Sequence, residues 1–182
     1  MRNLPENYLL KLSVDLQNNK KQFWIVNILS FILIVLLTIL GCLFDPFSEL
    51  FTLGSIQWII IFLGLLIYIV LHEMVHGIFM WYYSKEKPFF GFTGAFAYAG
   101  SHCYYNKKQY IVIALSPIVL LGIVLLILNI IFEQYFWAIY FIQIMNISGA
   151  AGDLYVSYLF SKLPEDILIK DIGVSMDVFS TK

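Results

Sequence analysis

The chain has 182 residues, of which 60% are hydrophobic and 13% are charged, and its mean hydropathy is +0.82. A soluble domain carries roughly 25% charged residues, so this composition excludes a soluble globular protein, which would need a polar surface. The formal net charge of −1, without a basic cluster, argues against nucleic acid as a partner. Composition therefore predicts an integral membrane protein, with the lipid bilayer as its surroundings.

The first 21 residues are polar and show no cleavable signal, since they lack a short apolar core followed by small residues. Leu9, Leu12 and Leu16 lie at helical spacing, with charged residues between them. This spacing predicts an amphipathic helix on the cytoplasmic surface within residues 1–21. A frayed polar tail is the alternative.

Four apolar runs are each long enough to cross the hydrocarbon core, which takes about 20 residues. They are, to the nearest few residues, Phe23–Phe44, Ile56–Tyr82, Tyr110–Phe132 and Phe136–Phe160. The sequence thus predicts an all-α integral membrane protein with four transmembrane helices. We expect a single membrane domain over residues 1–182, with a four-span core at 22–160, a strand-like insert at 88–105 and a cytoplasmic tail at 161–182.

Charge orients the predicted helices. In a four-span arrangement all 11 Lys and Arg residues fall on one side, whereas Asp45, Glu49 and Glu133 fall on the other. Positively charged loops stay in the cytoplasm, so both termini and residues 84–109 are predicted to be cytoplasmic in a multi-pass protein of the cell membrane. Cys42 and Cys103 then lie on opposite sides, which argues against a disulfide between them.

Residues 84–109 differ from the apolar runs because aromatic residues alternate there with small ones. This period-2 pattern predicts an extended strand over Phe89–Tyr98, or a hairpin that dips against the membrane. The strand serves either as structural cover or as an edge that binds substrate. A second strand-like run, "DILIK", is a candidate to pair with it. His102 beside Cys103 is either an ordinary loop pair or a contact to a metal site.

Two of the three histidines bracket "HEMVH" in the second apolar run. Helical residues i and i+4 lie about 40° apart on one face, so His72 and His76 can present two imidazoles to one metal ion. Glu73 lies beside that face. This is the H-E-x-x-H arrangement, in which Zn²⁺ lowers the pKa of a bound water to about 7 and the glutamate is the general base. An intramembrane histidine can also be a plain interhelical hydrogen-bond partner.

A catalytic zinc site needs a third protein ligand and an open position for water. At 1.5 Å per residue, His72 and His76 lie roughly 10–17 Å from the cytoplasmic end of their run, and Asp153 lies roughly 12 Å from that end of the fourth. Because the depths agree, Asp153 is predicted to be the third ligand. Asn146, two turns earlier on the same face, either donates a hydrogen bond to an oxyanion or a ligand, or joins two helices.

At "HEMVH" and "NISGAAGD" the chain resembles the site-2 protease class of intramembrane zinc metalloproteases. It is more similar to a family of small bacterial membrane proteins regarded as zincin peptidases, through "HEMVHGIFM", "FGFTGAFAYAG", "KKQYIVIALSPIVLL", "SGAAGDLY" and "IKDIG". The resemblance implies zinc ligands at His72, His76 and Asp153 and a base at Glu73. Unlike the site-2 proteases, the chain has Gly-Asp-Leu at 152–154 instead of an Asp-Gly ligand sequence, and it shows no PDZ-like domain.

These observations predict a zinc-dependent endopeptidase that hydrolyses peptide bonds within or next to the membrane, with a peptide or a membrane protein as its substrate. The alternative is a zinc-binding membrane protein without catalysis, acting in transport, sensing or assembly. The outer halves of the four apolar runs carry no acidic residue or histidine, which argues against transport. The presence of Glu73 argues against an inactive relative of the enzymes.

Overall fold

The computed structural model describes residues 1–94, 97–173 and 175–181, which form helices and strands in alternation. Helices α1 to α5 are Lys20–Gly41, Ser55–Ser84, Lys107–Ile131, Phe136–Gly149 and Ala151–Ser161. Strands β1 to β6 are Leu9–Asp15, Phe89–Phe92, Ala97–Gly100, Tyr104–Asn106, Leu168–Asp171 and Ser175–Ser180. Two short 3₁₀ helices, Phe47–Thr52 and Glu133–Tyr135, follow α1 and α3.

Among the described residues, three helices are long and apolar enough to cross a membrane: α1, α2 and α3. Many of their large apolar side chains face outward, including Trp24, Phe31 and Leu126. Apolar surface of this extent is stable against lipid and not against water. The protein is therefore a membrane protein.

The prediction of four transmembrane helices is wrong, because the fourth apolar run does not form one helix. The helix breaks at Ala150, whose φ of −87° and ψ of 21° lie outside the α-helical range. The break leaves α4 with 14 residues and α5 with 11, each shorter than the about 20 residues that a span requires. It falls in "SGAAG", where Gly149 and its small neighbours restrain the backbone little.

The prediction of an all-α protein is also wrong, because the described residues include six strands in two antiparallel sheets. A four-stranded sheet has the order β1-β6-β5-β4, and β2 and β3 form a separate hairpin. A hairpin does lie between α2 and α3, as predicted, although residues 95 and 96 of the predicted Phe89–Tyr98 strand lie outside the described residues. The run "DILIK" contributes β5, which pairs with β4 and β6 and not with the hairpin.

The N-terminal segment forms β1 in place of the predicted amphipathic helix. β1 pairs with β6 from Leu9↔Ser180 to Asp15↔Ser175, with a bulge between Leu10 and Leu12. Val14 is completely buried. A partner strand from the other end of the sequence satisfies the backbone hydrogen bonds of β1, so a strand is stable here despite the helical spacing of the leucines.

Two asparagines fix where long helices begin. The Asn19 side chain accepts hydrogen bonds from the backbone N–H groups of Lys21 and Gln22 at the start of α1. The Asn106 side chain accepts from the Gln109 backbone N–H, and the Gln109 side chain accepts from the Asn106 backbone N–H, at the start of α3. These caps satisfy N–H groups that have no partner within the helix. Helix α3 therefore starts directly after β4, and only four residues separate β1 from α1.

The buried core lies where the four-stranded sheet packs on the adjoining ends of α2, α3 and α5. Its members include Met80, Tyr105, Ile113, Phe160 and Val178, each at most 1% exposed. Since β1, β4, β5 and β6 share one sheet, the N-terminal strand, the start of α3 and the C-terminal strands all lie at this end of the helices, which we call the sheet end. The shorter helices α4 and α5 return the chain to it. A single domain over residues 1–182 stays a prediction.

Candidate metal centre

Helix α2 brings His72, Glu73 and His76 together near its sheet end. The two imidazole centroids are 4.9 Å apart, and each histidine is 8% exposed. One potential ligand atom from each of the three residues lies within 4.8 Å of the others. The helical i, i+4 spacing thus places both imidazoles on one face, with the glutamate at its edge.

Asp153 reaches the same point from another helix. It lies in the first turn of α5, directly after the break at Ala150. Its Oδ2 atom is 3.3 Å from His72 Nε2, and its Oδ1 atom is 3.6 Å from His76 Nε2. The carboxylate therefore faces both histidines at once and joins α5 to α2.

The residues fit a zinc ion. Two ligand atoms that each lie about 2.0–2.1 Å from a tetrahedral zinc are about 3.3 Å from one another. The distances from the Asp153 oxygens to the two Nε2 atoms, 3.3 and 3.6 Å, are close to that value and exceed the about 2.7–2.9 Å of a charge-assisted hydrogen bond. Two imidazole nitrogens and one carboxylate are also a donor set that catalytic zinc sites use.

The second ring nitrogen of each histidine has a partner in the protein. His72 Nδ1 is 3.2 Å from the Tyr68 hydroxyl, and His76 Nδ1 donates to the backbone carbonyl of Ile113 at 2.9 Å. The Nδ1 contacts leave the Nε2 atoms directed at Asp153. Partners of this kind orient metal-ligating imidazoles.

The cluster opens into a cavity of about 500 Å³, to which residues of β3, α1, α2 and α5 contribute. Strand β3 lines it with Ala97, Tyr98 and Ala99. The backbone of Ala99 lies near the Glu73 carboxylate, which places this strand beside the cluster. Strand β3 and Glu73 therefore both line the cavity.

One predicted site residue and the residues left open by the sequence lie outside the cluster. Asn146 is completely buried and its Nδ2 donates to the Ile118 carbonyl of α3 at 3.1 Å, which joins two helices. His102 stacks on Phe89 of the hairpin with centroids 4.9 Å apart, and Cys103 is buried in the core. The structure brings His72, Glu73, His76 and Asp153 together; a catalytic role for Asn146 stays a prediction.

Two further side chains at the cavity were not predicted from the sequence. Tyr68 lies one turn before His72 on the same helix, a spacing that could have indicated its contact with the imidazole. Asp171 of β5 also lines the cavity. Burial raises its pKa to about 6, although hydrogen bonds from the Tyr110 hydroxyl and the Gly173 N–H lower it. Only the pairing of β5 in the sheet brings Asp171 here, and no local sequence signal reveals it.

Comparison with known families identified a family that this chain matches. Residues 65–168 match the model of the family described as "Putative zincin peptidase". The matched range covers more than half of the chain and includes the four clustered residues, from His72 to Asp153. Searches of curated proteins and of solved structures found no match.

Proposed function

The chain belongs to this family of zincin peptidases, and from that premise we propose that it is a zinc-dependent endopeptidase that cuts peptide bonds within or next to the membrane. Zinc would be held by His72, His76 and Asp153, with Glu73 as the general base. Peptides or membrane proteins would be its substrates.

The observation that carries the proposal is the position of Asp153 relative to the two histidines. Its two oxygens lie 3.3 and 3.6 Å from the two Nε2 atoms, a spacing typical of ligands of one tetrahedral ion and not of a strong hydrogen bond. The residues come from two helices, with His72 and Asp153 separated by 81 positions in the sequence. Such a convergence of ionisable groups between apolar helices is costly, and for that reason it indicates a functional site.

Zinc bound by these residues would supply Lewis-acid activation of a water molecule. The Glu73 carboxylate takes the proton from the attacking water and delivers it to the nitrogen of the scissile peptide bond, which leaves as an amine. The carboxylate lies near the backbone of Ala99 in β3. Glu73 therefore lies at the cavity wall along which a substrate would bind.

Strand β3 offers a way to hold an extended substrate. Within the described residues β3 pairs only with β2, and three of its residues line the cavity. A peptide at this edge could pair with the strand backbone, which would satisfy polar groups that a membrane cannot hydrate. We therefore propose that the substrate binds in an extended conformation along β3.

The charge distribution supports an orientation in the membrane. In the part of the chain that the structure describes, every Lys and Arg lies at the sheet end; Lys182 lies outside it. Asp45, Glu49 and Glu133 lie at the opposite end. By the positive-inside rule the sheet end, with both termini and the candidate metal centre, faces the cytoplasm of a bacterial cell membrane.

The test combines zinc content with cleavage, using the purified full-length protein and a panel of single-span reporter proteins. His72→Ala and Asp153→Ala should each lose stoichiometric zinc. Glu73→Gln should retain zinc and lose cleavage by about 10²- to 10⁴-fold, the usual contribution of a general base. Glu133→Gln, a carboxylate at the opposite end, and His102→Ala are the matched controls and should retain both properties.

Zinc retained by both His72→Ala and Asp153→Ala would overturn the site. Wild-type protein that holds zinc but cleaves no reporter would contradict the peptidase and support the non-catalytic zinc protein.

A further inference from the structure

We propose that Pro117 is a positioning residue for the candidate metal centre, because it leaves the Ile113 carbonyl free to fix the orientation and tautomer of His76. The inference rests on the proposed zinc site and adds a residue from α3, which contributes no ligand. Pro117 lies inside α3, four residues after Ile113.

Each carbonyl group inside an α-helix has a fixed hydrogen-bond donor. The carbonyl of residue i accepts the N–H of residue i+4, so the Ile113 carbonyl would normally accept from residue 117. Proline has no N–H and cannot donate. Ile113 is 1% exposed, so water cannot replace the missing donor, and an unpaired carbonyl at this depth is costly.

Two side chains take the place of the missing donor. His76 Nδ1 lies 2.9 Å from the Ile113 oxygen, and Ser116 Oγ also lies 2.9 Å from it. A carbonyl oxygen has two lone pairs and accepts two such bonds. The proline thus converts a helix-internal acceptor of α3 into a partner for a histidine of α2.

This contact determines which nitrogen of His76 can bind a metal. A carbonyl only accepts, so Nδ1 must carry the proton, and in a neutral imidazole the lone pair is then on Nε2. The Nε2 atom is the one directed at Asp153, at 3.6 Å. His72 differs, because its Nδ1 faces the Tyr68 hydroxyl, which can donate or accept. The protein therefore sets the tautomer of His76 through the backbone of α3.

A proline in a helix can also act only by bending it. The two roles are separated by Pro117→Ala, which supplies an N–H that competes for the Ile113 carbonyl and restores a regular helical hydrogen bond. If Pro117 positions His76, this variant should bind zinc about 10- to 100-fold more weakly, the usual cost of losing a partner of a metal ligand. Its helix content and melting temperature should be unchanged or higher.

The tautomer is measured directly by ¹⁵N NMR of metal-free protein labelled at its three histidines, at a pH high enough for the imidazoles to be neutral. Wild-type His76, assigned with His76→Gln, should be protonated at Nδ1, and Pro117→Ala should populate the Nε2–H form. Ser116→Ala is the matched control: it removes the other donor to the same carbonyl, so tautomer and zinc affinity should stay as in the wild type.

A second replacement separates the effect of the added N–H from the effect of losing the proline ring. Lactic acid incorporated at position 117 by nonsense suppression has the side chain of alanine and, like proline, no N–H. It should restore the Nδ1–H tautomer and the zinc affinity relative to Pro117→Ala. Wild-type affinity and tautomer in Pro117→Ala, or equal losses in the alanine and lactate variants, would overturn the proposal.

The NMR measurement needs no zinc. Failure of the wild-type protein to bind zinc would contradict the proposed function. The positioning by Pro117 would still hold if His76 shows the Nδ1–H tautomer only when residue 117 lacks an N–H.

Discussion

Asp171 is a buried carboxyl group whose ionisation the protein opposes. It is 7% exposed, with Oδ2 accepting from the Tyr110 hydroxyl at 2.6 Å and Oδ1 from the Gly173 N–H at 2.7 Å. Burial outweighs these hydrogen bonds and raises the pKa of Asp171 from 3.8 to about 6. The free energy of unfolding must therefore depend on pH between these two values.

The direction of this dependence follows from proton binding. Below pH 3.8 both folded and unfolded chains hold the proton of Asp171, but between pH 3.8 and about 6 only the folded chain holds it. Its contribution to stability is thus full at low pH and is lost as pH rises through about 6, by about 3 kcal/mol. Asp171→Asn should remove this loss. The melting temperature of this variant in detergent should therefore increase relative to that of the wild type between pH 4 and pH 7.

Asp177→Asn is the matched control for Asp171→Asn. Asp177 lies on the neighbouring strand and accepts a hydrogen bond from Ser13 at an exposed position. Its variant should keep the pH dependence of the wild type. Parallel stability curves for Asp171→Asn and the wild type would refute the buried-carboxyl explanation.

The break between α4 and α5 decides where Asp153 lies. A continuous helix over 136–160 would carry the same residues, but Ala150 ends α4, and Asp153 then falls in the first turn of a new helix. Unpaired N–H groups at a helix start favour a carboxylate there. The break at Ala150 therefore places the proposed ligand Asp153 at the start of a helix, where a carboxylate is favoured.

The sequence predicted the parts of the protein that depend on local spacing. Three membrane helices follow from runs of apolar residues, and the His72–His76 pair follows from the i, i+4 geometry of one helix. The depth of Asp153 placed it beside them because helix rise is regular. Hydropathy does not register the break at Ala150, since small residues are apolar whether or not they continue a helix.

The four-stranded sheet escaped prediction for a different reason. Its outer strand β1 pairs with β6, whose partner residues lie more than 150 positions away in the sequence, as in Leu9↔Ser180. The leucines of β1 fit a helical period because the bulge after Leu10 shifts the alternation of the strand. In the sequence, Pro117 predicts only a kink in a helix. Its connection to the metal centre depends on the contact between His76 and the Ile113 carbonyl, which only the structure shows.

The turn between β5 and β6 holds the wall of the cavity in place. Gly173 has a φ of +90°, and a Cβ there would lie 2.7 Å from Tyr98 Cε2 and 2.8 Å from Cγ. Gly173→Ala should therefore combine backbone strain of about 1–2 kcal/mol with overpacking of about 1–3 kcal/mol. We expect a lower melting temperature and weaker cleavage, because Tyr98 of β3 lines the cavity.

Gly94→Ala separates strain from overpacking. Gly94 has a φ of +87°, but among the described residues nothing lies within 4 Å of the position that a Cβ would take there. This variant should lose only the about 1–2 kcal/mol of strain. If both alanine variants were equally stable and equally active, overpacking of the new Cβ at position 173 against Tyr98 would be excluded as a cause of lower stability or activity.

The two ends of the molecule differ in both structure and charge. The sheet end has the strands, the buried core and every described Lys and Arg, whereas the opposite end has short 3₁₀ helices and acidic residues. The sheet end also holds the candidate metal centre, so its position relative to the cytoplasm determines which compartment supplies the zinc and the water.

The native cysteines report this orientation. Cys42 follows α1 at the end opposite the sheet and is exposed, whereas Cys103 is 3% exposed. If the sheet end is cytoplasmic, a membrane-impermeant maleimide added to intact spheroplasts should label Cys42, and Cys103 only after denaturation. In a Cys42→Ser background, Lys108→Cys, an exposed position at the start of α3, should react only after the membrane is permeabilised. Labelling of Lys108→Cys in sealed spheroplasts, with Cys42 protected, would reverse the orientation and place the candidate metal centre on the outer side.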